Sequence, residues 1–145
     1  MPQKEMYDET TGRKIEKRID GYIERYFGGG EKKVIRIKNS IWTVEEDLYD
    51  FNIIRTTMLC VLDAVLLDRL PERSCELFEE LLVLNAHRVK SSKLCLIKGR
   101  IHLRIVKGLG DFGYSEFVDH VQEYREIFPR LKVELTKKYY PEEVQ

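Results

Sequence analysis

The chain has 145 residues, enough for one domain that buries a core without a disulfide or metal staple. Hydrophobic residues make up 43% and charged residues 34%, with 25 basic against 25 acidic side chains and a formal net charge of zero. That balance argues against broad electrostatic capture of nucleic acid. The longest apolar run, Met58 to Leu67, is interrupted by Asp63 and is too short to cross a bilayer.

The first twelve residues are polar and are expected to fray, which places a single domain over residues 13–140 and a tail at 141–145. From Arg13, apolar side chains recur at Ile15, Ile19, Tyr22, Ile23, Tyr26 and Phe27, one stripe of a helix. Gly28-Gly29-Gly30 ends it, because glycine accepts the left-handed position after a helix. Lys33 to Lys38 alternates, with Ile35 and Ile37 on one face and Val34, Arg36 and Lys38 on the other. Asn39-Ser40 is turn chemistry, and Ile41 to Val44 returns as the second strand of a hairpin. Asn52 to Leu62 reads as a third, longer strand rich in β-branched residues.

Ser74 opens a Leu-rich helix that closes after Leu81-Leu82-Val83-Leu84-Asn85. Leu94 to Ile97 and Arg100 to Val106 form a second hairpin joined at Lys98-Gly99, with Ile101, Leu103 and Ile105 alternating against His102 and Arg104. The last helix starts near Ser115, and Phe117, Val121, Tyr124, Phe128, Leu131 and Leu135 recur at steps of 4 and 3 as one buried seam. Pro129 is expected to kink or restart it. The order α-β-β-β-α-β-β-α predicts an α+β two-layer sandwich, an antiparallel five-stranded sheet with helices gathered on one face.

That element order resembles the chaperone fold of type III secretion. The residues Leu81 to Asn85, then Leu94-Cys95-Leu96, then Gly99-Arg100-Ile101-His102-Leu103 resemble the YbjN-like branch of that superfamily. In element order the likeness covers roughly residues 13–135; in residues it is confined to the second half. The first strand pair departs from the pattern in being basic, with Lys32, Lys33, Arg36 and Lys38. The resemblance implies a homodimer that binds another protein along an extended segment.

No catalytic constellation is apparent. Gly108-Leu109-Gly110-Asp111-Phe112-Gly113 matches a dinucleotide fingerprint in spacing, yet no parallel strand follows the helix and Asp111 would repel a phosphate. It reads as a flexible loop between strand and helix. Glu116, His120 and Glu123 share a helical face, which reads as solvated because no second ligand pair completes a metal site. Cys60, Cys75 and Cys95 read as buried free thiols. The sequence therefore predicts a non-enzymatic module with no cofactor and no metal.

The candidate contacts are basic. If both strands turn their isoleucines inward, Arg36 and Lys38 share an outer sheet face with His102 and Arg104, with Trp42 and Arg55 nearby. Such a face can hold an acidic peptide, or single-stranded nucleic acid through charge and stacking. Along the second helix, Leu77, Leu81 and Leu84 form one apolar line and Phe78, Leu82 and Asn85 another. The first line is the expected homodimer contact. A protein or peptide partner is thus the leading expectation, a small nucleic-acid-associated regulator the alternative, and the cytoplasm the expected address, since no N-terminal signal core is present.

Overall fold

The computed structural model of the chain describes residues 9–28 and 33–143. Its elements are helix α1 (Glu9–Phe27), strands β1 (Lys33–Lys38), β2 (Ile41–Glu45), β3 (Asp50–Arg55) and β4 (Leu59–Leu67), helix α2 (Ser74–His87), strands β5 (Lys93–Ile97) and β6 (Arg100–Gly108), and helix α3 (Tyr114–Tyr139). A single 3-10 turn, Pro141–Glu143, follows in the expected tail. The sheet has six strands in the order β1-β2-β3-β4-β6-β5. The α+β class and the antiparallel pairing are as the pattern predicts.

The strand count differs because residues 52–62 are two strands. A turn at Thr56–Met58 separates them. The Thr56 amide donates to the Leu59 carbonyl at 2.8 Å, and the Thr56 hydroxyl accepts the amides of Met58 and Leu59 at 3.3 and 2.9 Å. A threonine hydroxyl can close a turn this way, but Thr56-Thr57 inside a β-branched run carries no glycine or proline to announce it. At the N-terminus, α1 starts at Glu9, so residues 9–12 of the segment expected to fray are helical. Residues 1–8, 29–32 and 144–145 lie outside the described residues, and with them Gly29, Gly30 and Lys32 of the expectations above.

The chain forms two compact units, Met1–Val61 with Val106–Val118 (unit 1) and Leu62–Ile105 with Asp119–Gln145 (unit 2). In unit 1, Ile19, Ile23 and Phe27 of α1 are buried together with Trp42, Val44, Phe51 and Ile53. Cross-strand register sets Val34 opposite Val44, Arg36 opposite Trp42, Trp42 opposite Ile53 and Val44 opposite Phe51, so these residues share the face toward α1. The glycine-rich stretch after β6 is pinned by apolar pegs. Leu109 and Phe112 are buried, the Leu109 amide donates to the Met58 carbonyl at 2.9 Å, and the Tyr22 hydroxyl donates to the Phe112 carbonyl at 3.0 Å. The loop expected to be flexible is thus an anchored corner in which Phe112 and Phe117 pack beside the Tyr22 ring.

In unit 2, Val121, Tyr124, Phe128, Leu131 and Leu135 of α3 are buried as the 4-3 spacing predicts, and the Tyr124 hydroxyl donates to the Leu103 carbonyl at 2.8 Å. Helix α3 runs unbroken from Tyr114 to Tyr139 with Pro129 inside it, so the proline does not restart the helix. The β5–β6 hairpin turns at Lys98 (φ 50°) and Gly99 (φ 76°), the paired positive φ of a two-residue hairpin loop whose twist matches the strands.

Asn85 explains why the leucine-rich helix ends in asparagine. Its side-chain amide donates to the Leu94 carbonyl at 3.1 Å and accepts the Leu94 amide at 2.8 Å, closing the outer edge of β5 as a neighbouring strand would. An Asn85→Ala variant is expected to lose about 1–2 kcal/mol of stability, the size of a backbone donor and acceptor stripped of partners. Urea titration against wild type measures it.

Candidate functional site

The six basic and aromatic candidates fall into separate clusters in the two units. In unit 1, Trp42 is buried, Arg55 is only 9% exposed, and Arg36 is 49% exposed. Arg55 Nε donates to Asp20 Oδ1 at 2.7 Å, and its guanidinium also reaches the Asn39 carbonyl at 3.0 Å. Arg36 donates to the same carbonyl at 2.6 Å and stands 3.5 Å from Asp20 Oδ2. Both guanidinium carbons lie over the Trp42 ring, at 4.9 Å for Arg36 and 5.8 Å for Arg55. Lys38 is exposed.

The sides of β1 are therefore reversed from expectation. Arg36 faces α1, and the isoleucines face away. The reason is Asp20: a carboxylate on α1, together with the Asn39 carbonyl, gives the guanidiniums charge-assisted acceptors that solvent-facing isoleucines do not need. On the other face stand Ile35 (39% exposed), Ile37 (57% exposed) and the half-buried Ile41 and Ile54. Thr43 and Asn52, side by side between them, hydrogen-bond to each other at 2.8 Å. The register slips between Arg36 and Lys38, leaving Ile37 as the extra residue of a bulge. The outer side of an antiparallel sheet is ordinarily polar; here β1–β3 present isoleucines there.

In unit 2, His102 and Arg104 turn to a buried acid. Arg104 Nε donates to Asp63 Oδ1 at 2.7 Å, and His102 Nδ1 lies 3.0 Å from the same oxygen. Cys95 stands opposite His102 in register. Burial raises the Cys95 thiol's pKa, and the Arg104 charge opposes that shift only in part. In unit 1, burial pushes the Cys60 thiol up to about 12 despite nearby Arg55, so neither thiol is an activated nucleophile. Cys75, expected to be buried, is exposed on α2.

The expected dimer line is occupied within unit 2 itself: Leu77, Leu81 and Leu84 are all buried. Helix α2 instead presents Leu82, 71% exposed, and Val83, 55% exposed. Spacing alone shows two apolar lines on this helix and does not say which one the sheet takes.

Two cavities flank these surfaces, each within one unit. In unit 1 a cavity of ≈ 460 Å³ has Ile23, Phe27, Val34 and Trp42 in its lining, with Asp20, Glu24 and Arg36 around them. In unit 2 a cavity of ≈ 440 Å³ lies between the residues after α2 and helix α3, lined in part by Lys90, Asp119, Glu123 and Arg130. Glu123 accepts the amides of Ser91 and Ser92 at 3.0 and 2.8 Å and the Ser92 hydroxyl at 2.8 Å. Among the described residues, no three His, Cys, Asp or Glu side chains are placed to hold a metal ion, and no helix is long and apolar enough to cross a membrane. Asp20, Asp63 and Glu123 organise these clusters. Sequence reading passed over Asp20, took Asp63 only as a break in an apolar run, and placed Glu123 on a solvated helical face where the structure instead bonds it to Ser91 and Ser92, since an isolated acid has no periodicity to betray its partner.

No family model matches the chain, and no curated protein matches it. A solved structure of the heterodimeric ExoU–SpcU complex from the type III secretion system of Pseudomonas aeruginosa is similar, with a TM-score of 0.46 and 18% identity, covering 79% of this chain and 94% of that one.

Glu123 generates a pH prediction. Partial burial raises its pKa, but the hydrogen bonds from Ser91 and Ser92 together outweigh that and hold the carboxyl below its ordinary value. A carboxylate depressed on folding adds stability that is fully present above its unfolded pKa of about 4.3 and is lost as pH falls through the folded value. Glu123→Gln is expected to flatten part of the acid limb of stability against pH, measured by urea unfolding at stepwise pH. An unchanged acid limb would show that the carboxylate contributes nothing there.

Proposed function

We propose that this chain is a non-enzymatic protein-binding module, chaperone-like or regulatory, that holds an extended segment of a partner protein. The observation that carries the reading is the outward isoleucine face of β1–β3 in unit 1: Ile35, Ile37, Ile41 and Ile54 on a sheet side that ordinarily faces water. The YbjN-like pattern in residues 81–103 and a cytoplasmic setting belong to the same reading. The nucleic-acid alternative needs cations and an aromatic ring on an open face. Trp42 is buried, Arg55, His102 and Arg104 turn to acids of their own units, and Arg36 is left as a half-exposed cation without an open ring beside it, which favours the protein-binding reading.

The homodimer is proposed to form through the outward residues of α2, Leu82 and Val83, in place of the buried leucine line. Light scattering coupled to size exclusion tests it. Leu82→Glu is expected to give a folded monomer from a wild-type dimer. Leu81→Glu is expected to unfold the chain, because it puts a charge into the core of unit 2. A wild-type monomer removes the dimer.

Binding itself is tested with peptides selected by display against the wild-type chain. Ile37→Asp is expected to weaken them by about tenfold or more, as loss of a central apolar contact does, while far-UV circular dichroism stays unchanged. Equal affinity for wild type and variant would overturn the assignment of this face.

A further inference from the structure

On the protein-binding reading, the isoleucine face of unit 1 takes something apolar, and the edge of β1 bears on its chemistry. β1 ends the sheet order, so its outer edge has no neighbouring strand among the described residues. An extended segment can add there through main-chain hydrogen bonds, with side-chain pockets giving selectivity. The register is regular from Lys33 to Arg36 and breaks at Ile37, so four residues are available for pairing.

Within those four, the faces alternate. Val34 and Arg36 stand opposite the buried Val44 and Trp42 and border the ≈ 460 Å³ cavity, while Ile35 belongs to the outer face. A strand added beside β1 therefore sets one side chain next to Val34, above a lining that includes Ile23, Phe27 and Trp42. The adjacent side chain lies over Ile35. The third lies next to Arg36, whose side chain is 49% exposed, donates to the Asn39 carbonyl at 2.6 Å and stands 3.5 Å from Asp20 Oδ2. Asp20 is held more tightly by Arg55, at 2.7 Å.

Charge selects the occupant. β1 reads Lys-Val-Ile-Arg-Ile-Lys, so pairing two copies of β1 would gather three cations from each on one ladder, where like charges destabilise. We propose, on the basis of the protein-binding reading above, that the captured segment lies antiparallel to β1 and carries an acidic residue followed by two apolar ones. The acid meets Arg36, the first apolar side chain covers Ile35, and the second enters the cavity beside Val34.

Fluorescein-labelled heptapeptides test this with the full-length chain: Thr-Thr-Glu-Val-Val-Thr-Thr and its counterpart with Lys in place of Glu. Trp42 is the single tryptophan of the chain and lines the cavity, so its emission reports occupancy. The Glu peptide is expected to bind about tenfold tighter than the Lys peptide, the scale of reversing one cross-strand charge pair. The preference should shrink with added salt and be accompanied by a shift in Trp42 emission. Arg36→Gln is expected to erase the preference and Arg36→Glu to invert it. Equal affinity for the two peptides, or unmoved Trp42 emission at saturation, overturns the proposal. If the display-selected peptides still lose affinity for Ile37→Asp while the charge series is flat, this inference falls and the protein-binding reading stands. If the selected peptides are indifferent to Ile37→Asp, both fall.

Discussion

The contact between Asp20 on α1 and Arg55 at the end of β3 decides what unit 1 shows to water. A guanidinium as deeply buried as Arg55 needs an acceptor, and leaving it without one would cost several kcal/mol. Asp20 supplies it at 2.7 Å and draws Arg36 to the same side, with Trp42 packed against both. Strand alternation then leaves no choice for the remaining residues. Once Arg36 points toward α1, Ile35 must point away, and Ile37, at the bulge, is exposed with it. The apolar outer face follows from where one carboxylate stands.

Unit 2 uses the same device elsewhere. Asp63 on β4 gathers His102 and Arg104 of β6, so residues that would make a sheet surface basic are neutralised in place. Asn85 and Glu123 act on the main chain. Asn85 completes the Leu94 donor and acceptor at the edge of β5, and Glu123 holds two successive amides of the segment entering that strand. Main-chain groups away from water need partners, and here side chains from α2 and α3 supply them. Asn85 thus occupies the Leu94 position of the β5 edge, while β1 ends the sheet on the other side.

The exposed apolar surfaces are modest. Ile35 and Ile37 stand on β1, and Leu82 and Val83 on α2. Burial raises the pKa of both the Cys60 and the Cys95 thiol, so neither is activated by the arginine near it.

Much of the architecture was legible from residue order. Helix α1, the Asn39-Ser40 and Lys98-Gly99 turns, the α3 seam from Phe117 to Leu135 and the closure of α2 near Asn85 each rest on local chemistry: periodicity, turn residues, a helix stop. The break at Thr56 was not legible, because a hydroxyl-closed turn inside a β-branched run has no glycine or proline to mark it. The candidate site was legible only as a set of residues. Arg36, Trp42 and Arg55 do come together, but facing α1. Alternation assigns residues to two faces and is symmetric between them; only a partner from a distant part of the chain breaks the symmetry. The sequence by itself determined the helices, the hairpin turns and the alternation within regular stretches of strand, but not the break at Thr56 or the bulge at Ile37. The tertiary structure decided which face is buried, because Asp20, Asp63 and the sheet under α2 act across separations of 16 to 41 residues that no local pattern encodes.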